Sequence, residues 1–162
     1  MKVLVTGAGG FLGRHLAVDL ARRGFAVVAA CRNAAPPDLP NPLRLDLATA
    51  DSLPSGIEAV VHAAATSGSV DESTPVANPD VYGMTKLLGE AMLGEAAPGM
   101  SGLALRLPAV IGPGAKRNFL AEAARKLKAG QEVSIFNPDA PFNNAVHCAD
   151  LGSLIGGVLR RG

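Results

Sequence analysis

Cysteine is scarce in this chain, tyrosine occurs once and tryptophan not at all. The two cysteines, Cys31 and Cys148, form no metal-type spacing and suggest no disulfide framework. Each reads as a small buried hydrophobe rather than a reactive thiol. Neither sign of charge is in excess: 15 Lys and Arg face 14 Asp and Glu, a net charge of +1. That balance lacks the basic footprint of a nucleic-acid binder. No apolar run approaches the roughly 18 residues of a membrane span. The apolar start at Lys2-Val3-Leu4-Val5 is too short for a signal peptide. These absences predict a cytoplasmic protein with no metal, no nucleic acid and no membrane among its partners. Hydrophobic residues make up 48% and charged residues 18%, so residues 1–162 are expected to form one globular domain with a substantial core.

The most informative stretch is Val5-Thr6-Gly7-Ala8-Gly9-Gly10-Phe11-Leu12-Gly13. The apolar strand Val3-Leu4-Val5 runs directly into glycines at 7, 10 and 13. A helical pattern follows, with Leu12, Leu16 and Leu20 four apart and Gly24 as its stop. Gly7 permits a tight turn, Gly10 lets a phosphate approach the backbone, and Gly13 lets the helix pack on the strand. The helix start then presents unpaired N–H groups and the positive end of its dipole to that phosphate. Glycines between a strand and a helix point to a dinucleotide site.

Further along, Phe25–Ala30 reads as a buried second strand and Ala34–Pro42, rich in proline, as a loop. Pro42–Leu47 alternates like a third strand. Asp51–Ile57 is expected to form a short helix, interrupted by Pro54 and Gly56. Ala59–Ala65 reads as a fourth strand, with His62 as a satisfied core histidine. Tyr82–Ala96 is helical, Leu103–Ile111 a strand, Asn118–Ala129 an amphipathic helix ending at Gly130, and Val133–Phe136 a short strand. Asp150 is expected to cap a last helix, Leu151–Arg161. His15 and His147 read as structural. Strands alternating with helices predict an α/β, doubly wound parallel sheet.

A NAD site usually places an acid at the end of the second strand to bind the ribose hydroxyls. Here that strand ends Cys31-Arg32-Asn33. A guanidinium suits a 2′-phosphate and cannot act as an acceptor, so Arg32 favours NADP, with NAD as the alternative. Arg14, on the first helical turn, could add a second positive charge. The chain's one tyrosine, Tyr82, lies four residues before Lys86, so a helix places both on one face. An ammonium beside a phenol favours the phenolate, which suits proton exchange with a carbonyl or alcohol.

With these residues on the page, the chain resembles the extended short-chain dehydrogenase/reductase group, the NAD(P)-dependent epimerase/dehydratase family. The matching stretches run in family order: residues 5–13, 45–47, 60–65, 82–90, 105–114 and 144–151. The resemblance implies a Rossmann fold in which Gly7, Gly10, Phe11, Leu12 and Gly13 cradle the pyrophosphate. It implies that Asp46 and Leu47 contact the adenine and that Ala63, Ala64 and Ala65 lie against the cofactor. Pro108 to Val110 would sit near the nicotinamide. Tyr82 and Lys86 would be the catalytic pair, and Ser67, chosen from Thr66, Ser67 and Ser69, the hydroxyl that polarises the carbonyl.

The chain also departs from the family. Only residues 66–81 lie between Ala65 and the Tyr82 helix, less than a crossover helix and a strand need. The arginine and acid common before the Val-His segment of nucleotide-sugar members are replaced by Asn143 and Asn144. Lys116 and Arg117 could supply charge in their stead. The fold is therefore expected to lack part of the usual central segment and of the C-terminal substrate domain. The expected function is reversible hydride transfer at a secondary alcohol or ketone of a small molecule, with a sugar or nucleotide sugar as candidates. A homodimer is among the expected assemblies. The alternative is an NADP-binding module without turnover.

Overall fold

The computed structural model describes residues 1–46, 49–50, 52–63, 81–94, 102–116, 118–135, 138–139 and 145–161; side chains at 81–83, 85 and 93–94 lie outside the described set. The elements, in order, are β1 (Lys2–Thr6), α1 (Phe11–Arg22), β2 (Ala26–Cys31), β3 (Pro42–Arg44), β4 (Ala59–His62), α2 (Val81–Gly94), β5 (Ala109–Ile111), α3 (Phe119–Lys128), β6 (Ala145–His147) and α4 (Cys148–Arg161). The first four strands form a parallel sheet in the order β3-β2-β1-β4, and β5 pairs with β6 in a second parallel pair. Strands alternating with helices in this order make an α/β fold of Rossmann type. From β1 the chain moves outward to β2 and β3, then returns to the other side of β1 as β4. The order reverses between β1 and β4, and in such sheets ligands bind outside the carboxyl ends of the strands at that reversal.

Alternation along the strands gives the sheet two buried faces. On one face Val3, Val5, Val27, Ala29 and Cys31 meet Leu16, Ala17 and Leu20 of α1, with Leu151 of α4 in the same cluster. On the other, Leu4, Val28 and Ala30 are covered by Leu43, Leu45 and Ile57. Helix α4 lies close on α1, where a Cβ on Gly152 would run into the Asp19 carboxylate. Asp19 pairs with Arg23 at 2.6 Å, Arg23 donates from Nη2 to Ser153 Oγ, also at 2.6 Å, and Arg160 donates to the Arg23 carbonyl at 3.0 Å. The stretch leading into β5 joins the main cluster through Leu105, Leu107 and Val110.

Several expected elements are shorter or absent. Residues 52–58 contain no helix; Ser55 and Gly56 form a turn there, as Pro54 and a glycine favour. The expected strand Leu103–Ile111 is reduced to Ala109–Ile111, since Pro108 has no N–H to give a ladder. Residues 131–135 form no strand, and Ile135 is exposed. The third strand ends at Arg44 and the fourth at His62. The last helix starts at Cys148, with Asp150 inside its first turn, where the carboxylate favours the positive end of the dipole rather than capping it. His62 is not a core residue: among the described residues β4 is an edge of its sheet, and Val60 and His62 are exposed.

Candidate functional site

The glycine segment forms a tight turn between β1 and α1. Gly7 has φ +68°, a left-handed value costly for other residues. Its carbonyl accepts the Gly10 N–H at 2.9 Å, and the Ala8 N–H donates to the Ala30 carbonyl at 3.0 Å, fixing the turn to β2. A Cβ on Gly13 would stand 2.6 Å from the Gly7 carbonyl carbon and 3.0 Å from Ala8 Cα. Only glycine there lets α1 lie this close on the turn. Gly10 is the N-cap of α1, no side chain caps the helix, and its first turn holds no acid. The N–H groups and positive dipole end of α1 are therefore left for an anion. This cradle, whose floor a Cβ would fill, fits the pyrophosphate of a dinucleotide.

Phe11 and Leu12 follow in the first turn, both half-buried. The Phe11 ring meets His15 edge-on with centroids 5.1 Å apart, and His15 Nε2 donates to the Pro113 carbonyl at 2.8 Å. His15 thus ties α1 to the loop after β5, a structural role. Arg32 leaves the end of β2 on a bend and is exposed. Gly9 lies against Cys31, its Cβ position 3.6 Å from Sγ, so Arg32 begins beside the glycine turn. Arg14 is engaged elsewhere: its guanidinium holds Asp38 through Nε to Oδ2 at 2.9 Å and Nη2 to Oδ1 at 2.8 Å.

At the strand-order reversal, Thr6 and His62 are register partners. Thr6 Oγ1 and His62 Nδ1 share a hydrogen bond of 2.7 Å. Part of the His62 ring is withdrawn from water, and this, with the nearby Lys86 charge, holds the imidazole below its ordinary value of 6.5. Lys86 of α2 therefore lies close enough for its charge to act on His62. Helix α2 is tied to the stretch before β5 by a two-pronged ion pair, Arg106 Nε to Glu90 Oε1 at 3.3 Å and Nη2 to Oε2 at 3.0 Å. Glu90 stands one turn after Lys86 on the same helix, and the pair holds that turn in place.

Tyr82 lies on α2 one turn before Lys86, and its side chain is outside the described set. Asp46 and Ala63 are half-buried, at the far ends of the stretches after β3 and β4. Pro108 and Val110 are half-buried at the start of β5, and the Val110 carbonyl accepts Asn118 Nδ2 at 2.9 Å. Leu47, Ala64, Ala65, Thr66, Ser67, Ser69, Arg117, Asn143 and Asn144 lie outside the described residues. His147 accepts the Ala149 N–H at 3.3 Å and shapes the entry to α4. Both cysteines are buried, and burial pushes both thiols up. The Asp38 partner of Arg14, the Thr6–His62 bond and the Glu90–Arg106 pair have no signal in sequence spacing.

A strand, glycine turn and uncapped helix start, set at the reversal of a parallel sheet, define a dinucleotide-binding α/β domain. Residues 3–76 and 68–161 match the model of the NAD dependent epimerase/dehydratase family, and the chain belongs to that family. Among solved structures it is similar to MoeE5 in complex with UDP-glucose and NAD (TM-score 0.71, 26% identity, 100% of this chain and 74% of that one). It is also similar to MoeE5 in complex with UDP-glucuronic acid and NAD (TM-score 0.67, 26% identity, 96% and 71%). A comparison with curated proteins returns no match. Among the described residues, no helix is long and apolar enough to cross a membrane.

Proposed function

We propose that residues 1–162 form one NAD(P)-binding domain of an oxidoreductase or epimerase/dehydratase-like enzyme acting at a secondary alcohol or ketone carbon. The carrying observation is the position of α2. It bears Tyr82 and Lys86 one turn apart, and the Lys86 charge is felt by His62 at the carboxyl end of β4. That end is where a parallel sheet of this order takes its ligand. The solved structures it is similar to hold UDP-sugars and NAD, which supports a sugar or nucleotide-sugar substrate. Arg32 favours NADP over NAD in this reading.

A dinucleotide held in this site would supply reversible hydride transfer. Gly7, Gly10, Phe11, Leu12 and Gly13 hold its pyrophosphate at the start of α1. Asp46 and Leu47 would contact the adenine, and Ala63, Ala64, Ala65, Pro108 and Val110 would meet the rest of the cofactor. The Tyr82 phenol exchanges a proton with the substrate oxygen. Lys86 would favour the phenolate and hold the nicotinamide ribose, and the Ser67 hydroxyl would donate to the same substrate oxygen. The cytoplasm is part of this proposal. A homodimer is supported by Met84, Leu88 and Met92, exposed at four-residue intervals along α2.

The test is turnover. With NAD(P) and a panel of UDP-sugars and simple ketones, the wild-type chain is expected to react. Tyr82→Phe should lower the rate by about 10²–10⁴-fold with little change in dinucleotide affinity. Dinucleotide binding without any turnover would replace this reading by that of a binding module. Turnover that survives Tyr82→Phe would overturn the assignment of the acid/base.

A further inference from the structure

The loop joining β2 to β3 brings an acid to the flank of the glycine turn. Residues 32–41 leave β2 beside Gly9 and return so that the Asn41 carbonyl accepts the Ala29 N–H at 3.2 Å. Leu39, 6% exposed, is buried in the main core cluster and pins the loop. Its neighbour Asp38 is thereby fixed and faces Arg14 in a fork-to-fork pair, with contacts of 2.9 and 2.8 Å. Arg14 itself follows directly on Gly13, within the first turn and a half of α1. Arg32 at the end of β2 and Arg14 on the opening turns of α1 thus belong to the two elements that bound the glycine turn, and Arg14 already carries a carboxylate.

We infer that Asp38 is a specificity-determining residue that restrains the preference for a 2′-phosphorylated dinucleotide by occupying Arg14 and placing a negative charge at that flank. The inference rests on the reading that the glycine turn binds NAD(P). A 2′-phosphate must compete with Asp38 for Arg14 and is repelled by the carboxylate, whereas a 2′-hydroxyl carries no charge and meets neither cost. Arg32 and Asp38 therefore act in opposite directions on the same choice. The Arg14 guanidinium holds the Asp38 carboxyl below the usual carboxylate range, so the charge persists throughout the neutral range.

Calorimetry on the full chain tests this with four probes: NADP, NAD, adenosine 2′,5′-bisphosphate and AMP. Asp38→Asn keeps the shape and removes the charge. It is expected to tighten NADP and the bisphosphate by about three- to tenfold while NAD and AMP stay within about twofold. Asp38→Ala should act in the same direction. Adding Arg14→Ala to Asp38→Asn should take the gain back. An equal change for phosphorylated and unphosphorylated probes, no change for either, or a gain that survives the loss of Arg14 would overturn the role of Asp38 while leaving the cradle assigned. Failure of the folded wild-type chain to bind either dinucleotide would instead overturn the cradle reading, and the role of Asp38 with it.

Discussion

Gly13 and Gly10 both belong to the glycine turn, yet they should fail in different ways when substituted. A Cβ at position 13 would meet the Gly7 carbonyl carbon at 2.6 Å and Ala8 Cα at 3.0 Å. Both are backbone atoms of a turn held by the Gly10-to-Gly7 and Ala8-to-Ala30 hydrogen bonds, so they cannot swing aside. Overpacking costs about 1–3 kcal/mol, and backbone contacts this close belong at the upper end. Alanine returns about 1 kcal/mol of helix propensity. Gly13→Ala should therefore lose about 2 kcal/mol net, or roughly 4–8 °C in Tm for a chain of this size. Gly10 has φ −86° and ψ 170°, open to any residue, and its Cβ would meet only the Gly7 oxygen at 3.3 Å. Gly10→Val should fold, losing about 1 kcal/mol as a poorer N-cap, but its side chain fills the approach to α1 and should abolish NAD(P) binding. Thermal melts by circular dichroism without cofactor, followed by calorimetry, separate the two. A Gly13→Ala chain that melts at or above the wild type would refute the close approach. A Gly10→Val chain that binds NAD(P) as tightly as the wild type would refute the cradle.

Arg32→Ala should weaken NADP by about tenfold or more, the scale of a charge-assisted contact, and leave NAD nearly unchanged; equal losses in a titration would refute the 2′-phosphate role. Because the folded chain holds His62 below its ordinary value of 6.5, the unfolded chain takes up that proton first, and stability falls as pH drops from 7 through 6.5 and below. His62→Asn should flatten this part of the slope in denaturant titrations, and an unchanged slope would contradict the shift. Asn118 caps α3 by accepting the Ala121 N–H at 2.8 Å and also donates to Val110. Asn118→Ala should cost about 1–2 kcal/mol, and a melt identical to the wild type would show that neither bond matters.

Elements whose signal is local were legible. Leu16 and Leu20, spaced for one helical face, sit in the core, and α1 stops just before Gly24. Asn118 could be read as the start of α3, and it is the cap. The β1–turn–α1 unit follows from the apolar run, the glycines and the helical leucine spacing taken together. What depended on distant partners was not legible. A strand forms only where another strand offers a ladder, so Val133–Phe136 and most of Leu103–Ile111 looked like strands by composition and lack that pairing among the described residues. His62 lies in an apolar run that reads as buried, but its place on the edge strand β4 leaves it exposed. Arg14 with Asp38, and Glu90 with Arg106, are 24 and 16 residues apart, spacings with no periodic meaning. They arise from loop return and helix placement, which tertiary packing decides.

The contact of α4 with α1 has a consequence for how the molecule is made. Leu151 completes the cluster that holds Leu16 and Leu20, and Ser153 and Arg160 engage Arg23 and its carbonyl. The core around α1 is therefore complete only once α4 has also been made. At typical synthesis rates, on the order of ten seconds separate the emergence of α1 from that of α4. During that interval Leu16 and Leu20 lack one wall of their pocket, and the nascent glycine turn is carried by an incompletely covered helix. A chain ending before residue 148 is therefore expected to leave Leu16 and Leu20 without the wall that Leu151 supplies, and Arg23 without its bonds to Ser153 and Arg160.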